Sequence, residues 1–256
     1  MNDKLRIAML ISGGGTTMRE ILRAVKSGFL SRVEPVLVIA SRSDVDGIEK
    51  AITEGVPDKD VLVMRPKWFD SPEVFGEFIL SACRERGVDF IGQYGWLPKT
   101  PANLIAAFPN MMVNQHPGPL DPGRPDFGGQ GMYGRRVHYA RLYFVRRTAR
   151  PDQRQPGTDG YWQHHFTEAT CQRVASEFDK GVLLALTTIP INPDDTVETL
   201  RARVLPQEHM IQIETLKAFS EGRVQERTRS EPLVWEEHYN ILAEAKKIAG
   251  ILYPRG

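Results

Sequence analysis

Four short segments carry side chains suited to chemistry. The first is Ser12-Gly13-Gly14-Gly15-Thr16-Thr17. Glycines let backbone N–H groups approach an anion, a following helix adds the positive end of its dipole, and the threonine hydroxyls add donors. Between an apolar strand and a helix, an anion cradle is preferred over a bare tight turn. The segment is not the GxxxxGK[ST] loop, because no lysine follows, and not GxGxxG, because Met18 stands three residues after Gly15. The second segment is Asn114-Gln115-His116-Pro117-Gly118-Pro119-Leu120. Asn114 and His116 are two residues apart on extended chain and point the same way. An amide and an imidazole facing one space can polarise a carbonyl and handle a proton. A histidine bonded to nearby backbone would explain a lone N-x-H. The carboxyl end of a sheet strand, where open α/β sheets bind ligands, keeps the chemical reading beside it. The third segment is Phe178-Asp179-Lys180-Gly181 and the fourth Gln207-Glu208-His209. Taken alone they read as a turn and a solvated helix face.

The elements that must position these residues alternate. Leu5–Ile11 is a continuous apolar run, the mark of a strand buried on both faces. Spacing predicts a helix over Met18–Val25, a strand over Pro35–Ala40, a helix over Gly47–Glu54 and a strand over Val61–Met64. Ser71 caps the next helix, with Pro72 at its first position and Gly87 at its end. A strand at Val88–Gln93, a helix at Pro101–Phe108 and a strand at Met111–Asn114 complete the alternation. The fold class is therefore α/β, a mostly parallel twisted sheet with helices on both faces. Residues 117–131 are dense in Pro and Gly and form an extended loop. A helix follows over Tyr133–Val145, then an exposed excursion over 146–160. Structure resumes at Tyr161–Ala169 and Val182–Ile191. Thr196–Gly222 is a long helix with Leu200, Val204, Met210, Ile213 and Leu216 on one side. Leu233–Leu252 is a last amphipathic helix. Residues 1–225 are expected to form the main domain, with 226–256 a helical extension packed on it.

Composition limits the classes. Lys and Arg number 33 against 32 Asp and Glu, a formal charge of +1, which argues against a polybasic nucleic-acid binder but not against a local anion site. No run approaches the roughly 18 apolar residues of a membrane span. The apolar start is short, lacks a small-residue cleavage site and reads as a strand rather than a signal peptide. Two distant cysteines, Cys83 and Cys171, suit neither a disulfide framework nor a cysteine zinc site. The histidine spacings give no metal-ligand set. The expectation is a cytoplasmic protein with no metal, no nucleic-acid partner and no membrane.

In this order the segments resemble the folate-dependent formyltransferase family, across about residues 5–224. The family's SGxGSN corresponds to Ser12–Thr17 and its N-x-H-P-S to Asn114–Gly118. Its HF and D-x-G correspond to His165-Phe166 and Asp179-Lys180-Gly181. Its D-T-x-E-T-L-x-x-R-V and Q-E-H appear as Asp195–Leu200 with Arg203-Val204, then Gln207-Glu208-His209. The sequence departs from the pattern where Gly118 replaces serine and Pro119-Leu120-Asp121-Pro122 stands in place of the rest of SLLP. Pro98-Lys99-Thr100 replaces Arg-Ile-Leu, and the gap from His165 to Asp179 is wider than usual.

The resemblance implies a Rossmann-like formyltransferase fold and transfer of a formyl group from 10-formyltetrahydrofolate, as co-substrate, to a primary amine. The acceptor it favours is glycinamide ribonucleotide, in purine synthesis. It makes Asn114, His116 and Asp179 the catalytic trio, with Asp179 keeping His116 charged. It assigns the substrate phosphate to Gly14, Gly15, Thr16 and Thr17 and the ribose hydroxyls to Glu208. It assigns the folate pocket to Gly95, Trp96, Leu97 and Asn114. Partners are the small-molecule amine and the folate, and a homodimer is within the expectation. The alternatives are a formyltransferase for an amino-sugar or natural-product amine, and a formyltetrahydrofolate hydrolase. From another class comes a non-catalytic nucleotide-binding module, against which the Asn114, His116 and Asp179 set argues. The transfer-RNA formyltransferases add a C-terminal domain too large for the stretch after Val224.

Overall fold

The computed structural model describes residues 4–148 and 165–256. The excursion expected over 146–160 falls outside them except for Arg146–Thr148, which end a helix, and so does the start of the segment expected from Tyr161.

The strands are β1 (Leu5–Ile11), β2 (Val33–Ala40), β3 (Val61–Val63), β4 (Phe90–Gln93), β5 (Met112–His116), β6 (Phe166–Arg173) and β7 (Leu183–Pro190). The helices are α1 (Thr16–Lys26), α2 (Asp46–Thr53), α3 (Pro72–Glu85), α4 (Ala102–Ala107), α5 (Arg135–Thr148), α6 (Val197–Ser220) and α7 (Tyr239–Leu252). The strands form one sheet in the order β3-β2-β1-β4-β5-β6-β7. The β1–β2, β1–β4, β2–β3 and β4–β5 pairs are parallel, as the strand–helix alternation predicts. β1 is solvent-free from Ile7 to Ile11, as its unbroken apolar run requires.

The chain divides into two compact units. The first comprises Met1–Gln115, Cys171–Ser176 and Gln212–Gln225, and the second His116–Thr170, Glu177–Ile211 and Glu226–Gly256. The core of the first unit packs β1, β2 and β4 side chains such as Leu10, Ile39 and Ile91 against Phe75, Ile79 and Trp96. In the second unit α5 and α7 close over Phe127, through Val137, Phe144, Leu242 and Ala249. Ser71 caps α3 as expected, its Oγ accepting from Val74 N at 3.2 Å, and Gly87 takes φ 56° beyond the helix end.

Three expectations shift. β5 runs on to His116 rather than ending at Asn114, so both residues lie on one strand. The last helix starts at Tyr239, not Leu233, because Leu233 N donates instead to Asp121 Oδ2 at 3.1 Å and the chain stays non-helical until a short turn at Glu236–His238. On α6 the buried stripe is polar as well as apolar. Glu208, Gln212 and Thr215 are buried beside Leu200, Val204 and Leu216, whereas Met210 is 51% exposed. A hydrophobic periodicity cannot reveal buried polar positions, which misdirects the expected face.

Candidate active site

The glycine–threonine segment closes β1 onto α1. Gly15, at φ 59°, takes the left-handed conformation that starts the helix, and a Cβ there would lie 2.8 Å from Gly47 Cα. Only glycine fits. Gly47 N donates to Gly13 O at 3.2 Å, holding α2 against the loop. Lys50, one turn into α2, donates its Nζ to Gly14 O at 2.7 Å. The lysine that this loop lacks in sequence thus arrives from the next helix, and no local signal marks it. No acidic residue occupies the first turn of α1, and Thr17 Oγ1 is buried with no hydrogen-bond partner in the protein. A helix N-terminus with its dipole, a nearby ammonium and an unused hydroxyl together suit an anion.

The same loop fixes the stretch after β4. Ser12 N donates to Gly95 O at 3.0 Å, and Ser12 Oγ accepts from Leu97 N at 3.0 Å and from Ser41 Oγ at 2.7 Å. Gly95 turns the chain at φ 81°. Leu97 is exposed, while Trp96 is buried and stacks on Phe75 with ring centroids 6.3 Å apart. The Tyr94 hydroxyl and Trp96 Nε1 are buried without partners, and burial holds the phenol of Tyr94 well above its usual range, so it stays neutral.

In the second unit His116 ends β5, only 2% exposed. Its Nδ1 lies 3.5 Å from Asp179 Oδ2, and its Nε2 is buried with no protein partner. Thr170 Oγ1 donates toward His116 O at 3.3 Å and Gly118 O at 3.1 Å, fixing the strand's exit. Asp179 adopts φ 58°, a left-handed backbone that costs a non-glycine residue about 1 kcal/mol. Its Oδ2 also accepts from Gly129 N at 2.9 Å. The 117–131 segment is pinned rather than free. Asp126, fully buried, accepts from Gly128 N and Asp121 N, each at 3.0 Å. Gly118, where the family has serine, is explained by Val137, whose Cγ1 would sit 2.3 Å from a Cβ.

Residues 5–134 match the formyl transferase family. The chain belongs to the formyl transferases. It is 32% identical over 230 residues to the chloroplastic phosphoribosylglycinamide formyltransferase of Arabidopsis thaliana, covering 90% of this chain and 70% of that protein. It is 26% identical over 222 residues to the phosphoribosylglycinamide formyltransferase of Haemophilus influenzae, covering 86% of this chain and 89% of the relative. The crystal structure of glycinamide ribonucleotide transformylase 1 from Symbiobacterium toebii superposes with a TM-score of 0.71 at 28% identity, covering 87% of this chain and 91% of that one.

In this formyl transferase Glu208 is not on a solvated face. It is 5% exposed on α6, and burial pushes its carboxyl up to about 8, partly opposed by Arg201. His138 on α5, which sequence reasoning left unassigned, is buried and pushed down to about 3 by desolvation, with Arg201 and His116 adding repulsion. It is a neutral neighbour of the His116 region, and a histidine inside an amphipathic helix gives no signal of that. Glu168 is bound to Arg229, which also donates to Leu120 O at 2.7 Å, so it belongs to a structural ion pair. Among the described residues no helix is long and apolar enough to cross a membrane.

Proposed function

We propose that this enzyme transfers the formyl group of 10-formyltetrahydrofolate to the amine of glycinamide ribonucleotide. The observation that carries the reading is the buried His116–Asp179 pair at a strand end, with Nε2 unpaired and Asn114 two residues before it. The amine attacks the formyl carbon, and a tetrahedral centre with a negative oxygen forms. The Asn114 amide and His116 Nε2–H donate to that oxygen, the kind of preorganised donation that contributes about 3–4 kcal/mol per group. The Asp179 carboxylate faces the Nδ1–H of the imidazolium, the form in which Nε2 also carries a proton and can donate. The amine loses a proton, the bond from the formyl carbon to the folate nitrogen breaks, and that nitrogen takes up a proton. Gly14, Gly15, Thr16 and Thr17 hold the ribonucleotide phosphate, and Glu208 accepts from the ribose hydroxyls. Gly95, Trp96, Leu97 and Asn114 line the folate side.

The family membership supports the reaction class, and the relatives' names support the acceptor. A formyl-transfer assay with glycinamide ribonucleotide and a panel of amino sugars and simple amines tests both. Efficient turnover of another amine, with glycinamide ribonucleotide inert at millimolar concentration, would remove the acceptor and leave the chemistry standing.

A further inference from the structure

The C-terminal helix α7 lies beyond the residues that match the family, yet it reaches the catalytic carboxylate's support. Lys246, half-buried on α7, donates its Nζ to Gly128 O at 2.7 Å. Gly128 is packed directly on Asp179. A Cβ at that position would lie 2.6 Å from Asp179 Cβ and 2.5 Å from Leu120 Cδ2. The next residue, Gly129, at φ 103°, donates its N–H to Asp179 Oδ2, the oxygen that faces His116 Nδ1. From the other side Asp126 Oδ1 accepts from Gly128 N, while Asp126 Oδ2 takes Lys180 Nζ at 3.4 Å. The groups acting on the Lys246 ammonium are Asp126, Lys180 and Asp179.

A second cation ties the same two segments together. Arg136 donates to Gly131 O, Tyr253 O and Pro254 O, each at 2.8 Å, so one guanidinium bonds both the glycine loop and the chain after α7. Lys246 also borders a cleft of about 390 Å³ lined by Gly128–Met132 and Arg136.

We propose that Lys246 is a positioning residue for Asp179: by holding the carbonyl of Gly128 it sets the Gly128–Gly129 clamp that aims the Asp179 carboxylate at His116. The inference rests on the reading of Asp179 as part of the catalytic trio. Gly128 and Gly129 bring no side chains of their own to the contact, and glycines have the greatest backbone freedom of any residue. Asp126 holds the N–H of Gly128 and Lys246 holds its carbonyl, so the two together set the orientation of this backbone. Misplacement of a catalytic group by even a fraction of an ångström to an ångström costs up to about a hundredfold in rate.

A double-mutant cycle tests the proposal, with the full-length enzyme, kcat and KM measured separately, and folding checked by circular dichroism. Lys246→Met should lower kcat about tenfold or more and leave KM for both substrates within about twofold. In an Asp179→Asn background the same substitution should cost less than about twofold further, because the group it positions has already lost its role. Wild-type kcat in Lys246→Met, an effect confined to KM, or an equal loss of kcat in both backgrounds would overturn the proposal. Should Lys246→Met not fold, the cycle is run with Lys246→Gln, which keeps a donor for Gly128 O at reduced reach, and is judged by the same coupling. Near-normal kcat in Asp179→Asn would instead sink the catalytic reading of Asp179. A collapse there beside an unaltered Lys246 variant sinks only the positioning role.

Discussion

His116 Nδ1 and Asp179 Oδ2 face each other at 3.5 Å with both side chains buried, one ending a central strand and the other held in a left-handed turn. The strained turn is what lets the carboxylate meet the ring, and the Gly129 N–H steadies it there. Asp179→Asn keeps the size and the acceptor for Gly129 but loses the charge that favours the imidazolium, the form in which Nε2 donates. We expect kcat to fall by two or more orders of magnitude with KM for either substrate nearly unchanged and the thermal unfolding midpoint within a few degrees of wild type. Steady-state kinetics beside a melting curve decides it.

Much of this was legible in the sequence, for stated physical reasons. The β1 run and the capped α3 announce themselves because burial on two faces and a Ser-Pro helix start leave one-dimensional marks. Asn114 and His116 could be paired because a strand's period of two is fixed by geometry. Asp179 was a turn residue by spacing and gained a role only by resemblance, since its partner is distant in the chain. Glu208 looked solvated because an amphipathic pattern counts apolar residues and says nothing of a buried carboxyl. Lys50 and Lys246 left no trace at all. Each acts through a backbone carbonyl of a remote loop, a contact that no local pattern encodes.

The anion loop gives the second prediction. Sulfate or phosphate soaked into crystals of the enzyme should bind against the backbone N–H groups of Gly14–Thr17, within reach of Lys50. Lys50→Met should raise KM for a phosphate-bearing acceptor about threefold to tenfold, the loss of one favourable charge near a helix N-terminus, while kcat at saturation stays close to wild type. Substrate phosphate found elsewhere with this loop empty would remove the assignment.

Gly118 tests how tightly the strand exit is packed. A Cβ there would press on Val137 Cγ1 at 2.3 Å in a solvent-free part of α5. Gly118→Ala is expected to destabilise by about 1–3 kcal/mol, the usual size for overpacking. Shortening the opposing side chain in Gly118→Ala/Val137→Ala should recover part of that loss. Chemical denaturation of the three variants reads it, and a double variant no better than the sum of the singles would show that the clash is not the cause.

Ribose recognition gives the fourth. Glu208→Ala should raise KM for the ribonucleotide about tenfold, the equivalent of roughly 1.5 kcal/mol of hydrogen bonding to the buried carboxyl, and leave KM for the folate unchanged. Equal effects on both substrates would move Glu208 out of the ribose site and into the fold.

The carboxyl of Glu208 also ties stability to pH, in a direction opposite to the usual one for an acid. In the folded enzyme burial pushes it up to about 8, against an ordinary value of 4.5. Between those values the unfolded chain has released the proton and the folded chain still holds it. The unfolded state binds fewer protons, so raising the pH favours unfolding through this window. His138 acts in the other sense. Its ring is pushed down to about 3 from 6.5, so the folded state resists protonation and loses stability as the pH falls below about 6.5. Comparing unliganded wild type with Glu208→Gln cancels the histidine and isolates the glutamate. The amide cannot ionise, so the variant lacks the downward slope. The two should melt together near pH 4.5, and Glu208→Gln should be the more stable by pH 8, by an amount on the order of a few kcal/mol, or about 2–4 °C per kcal/mol for a chain of this size. Parallel melting curves from pH 4.5 to pH 8 would mean that the carboxyl ionises freely in the folded enzyme, and that its burial is relieved by solvent or by a partner cation.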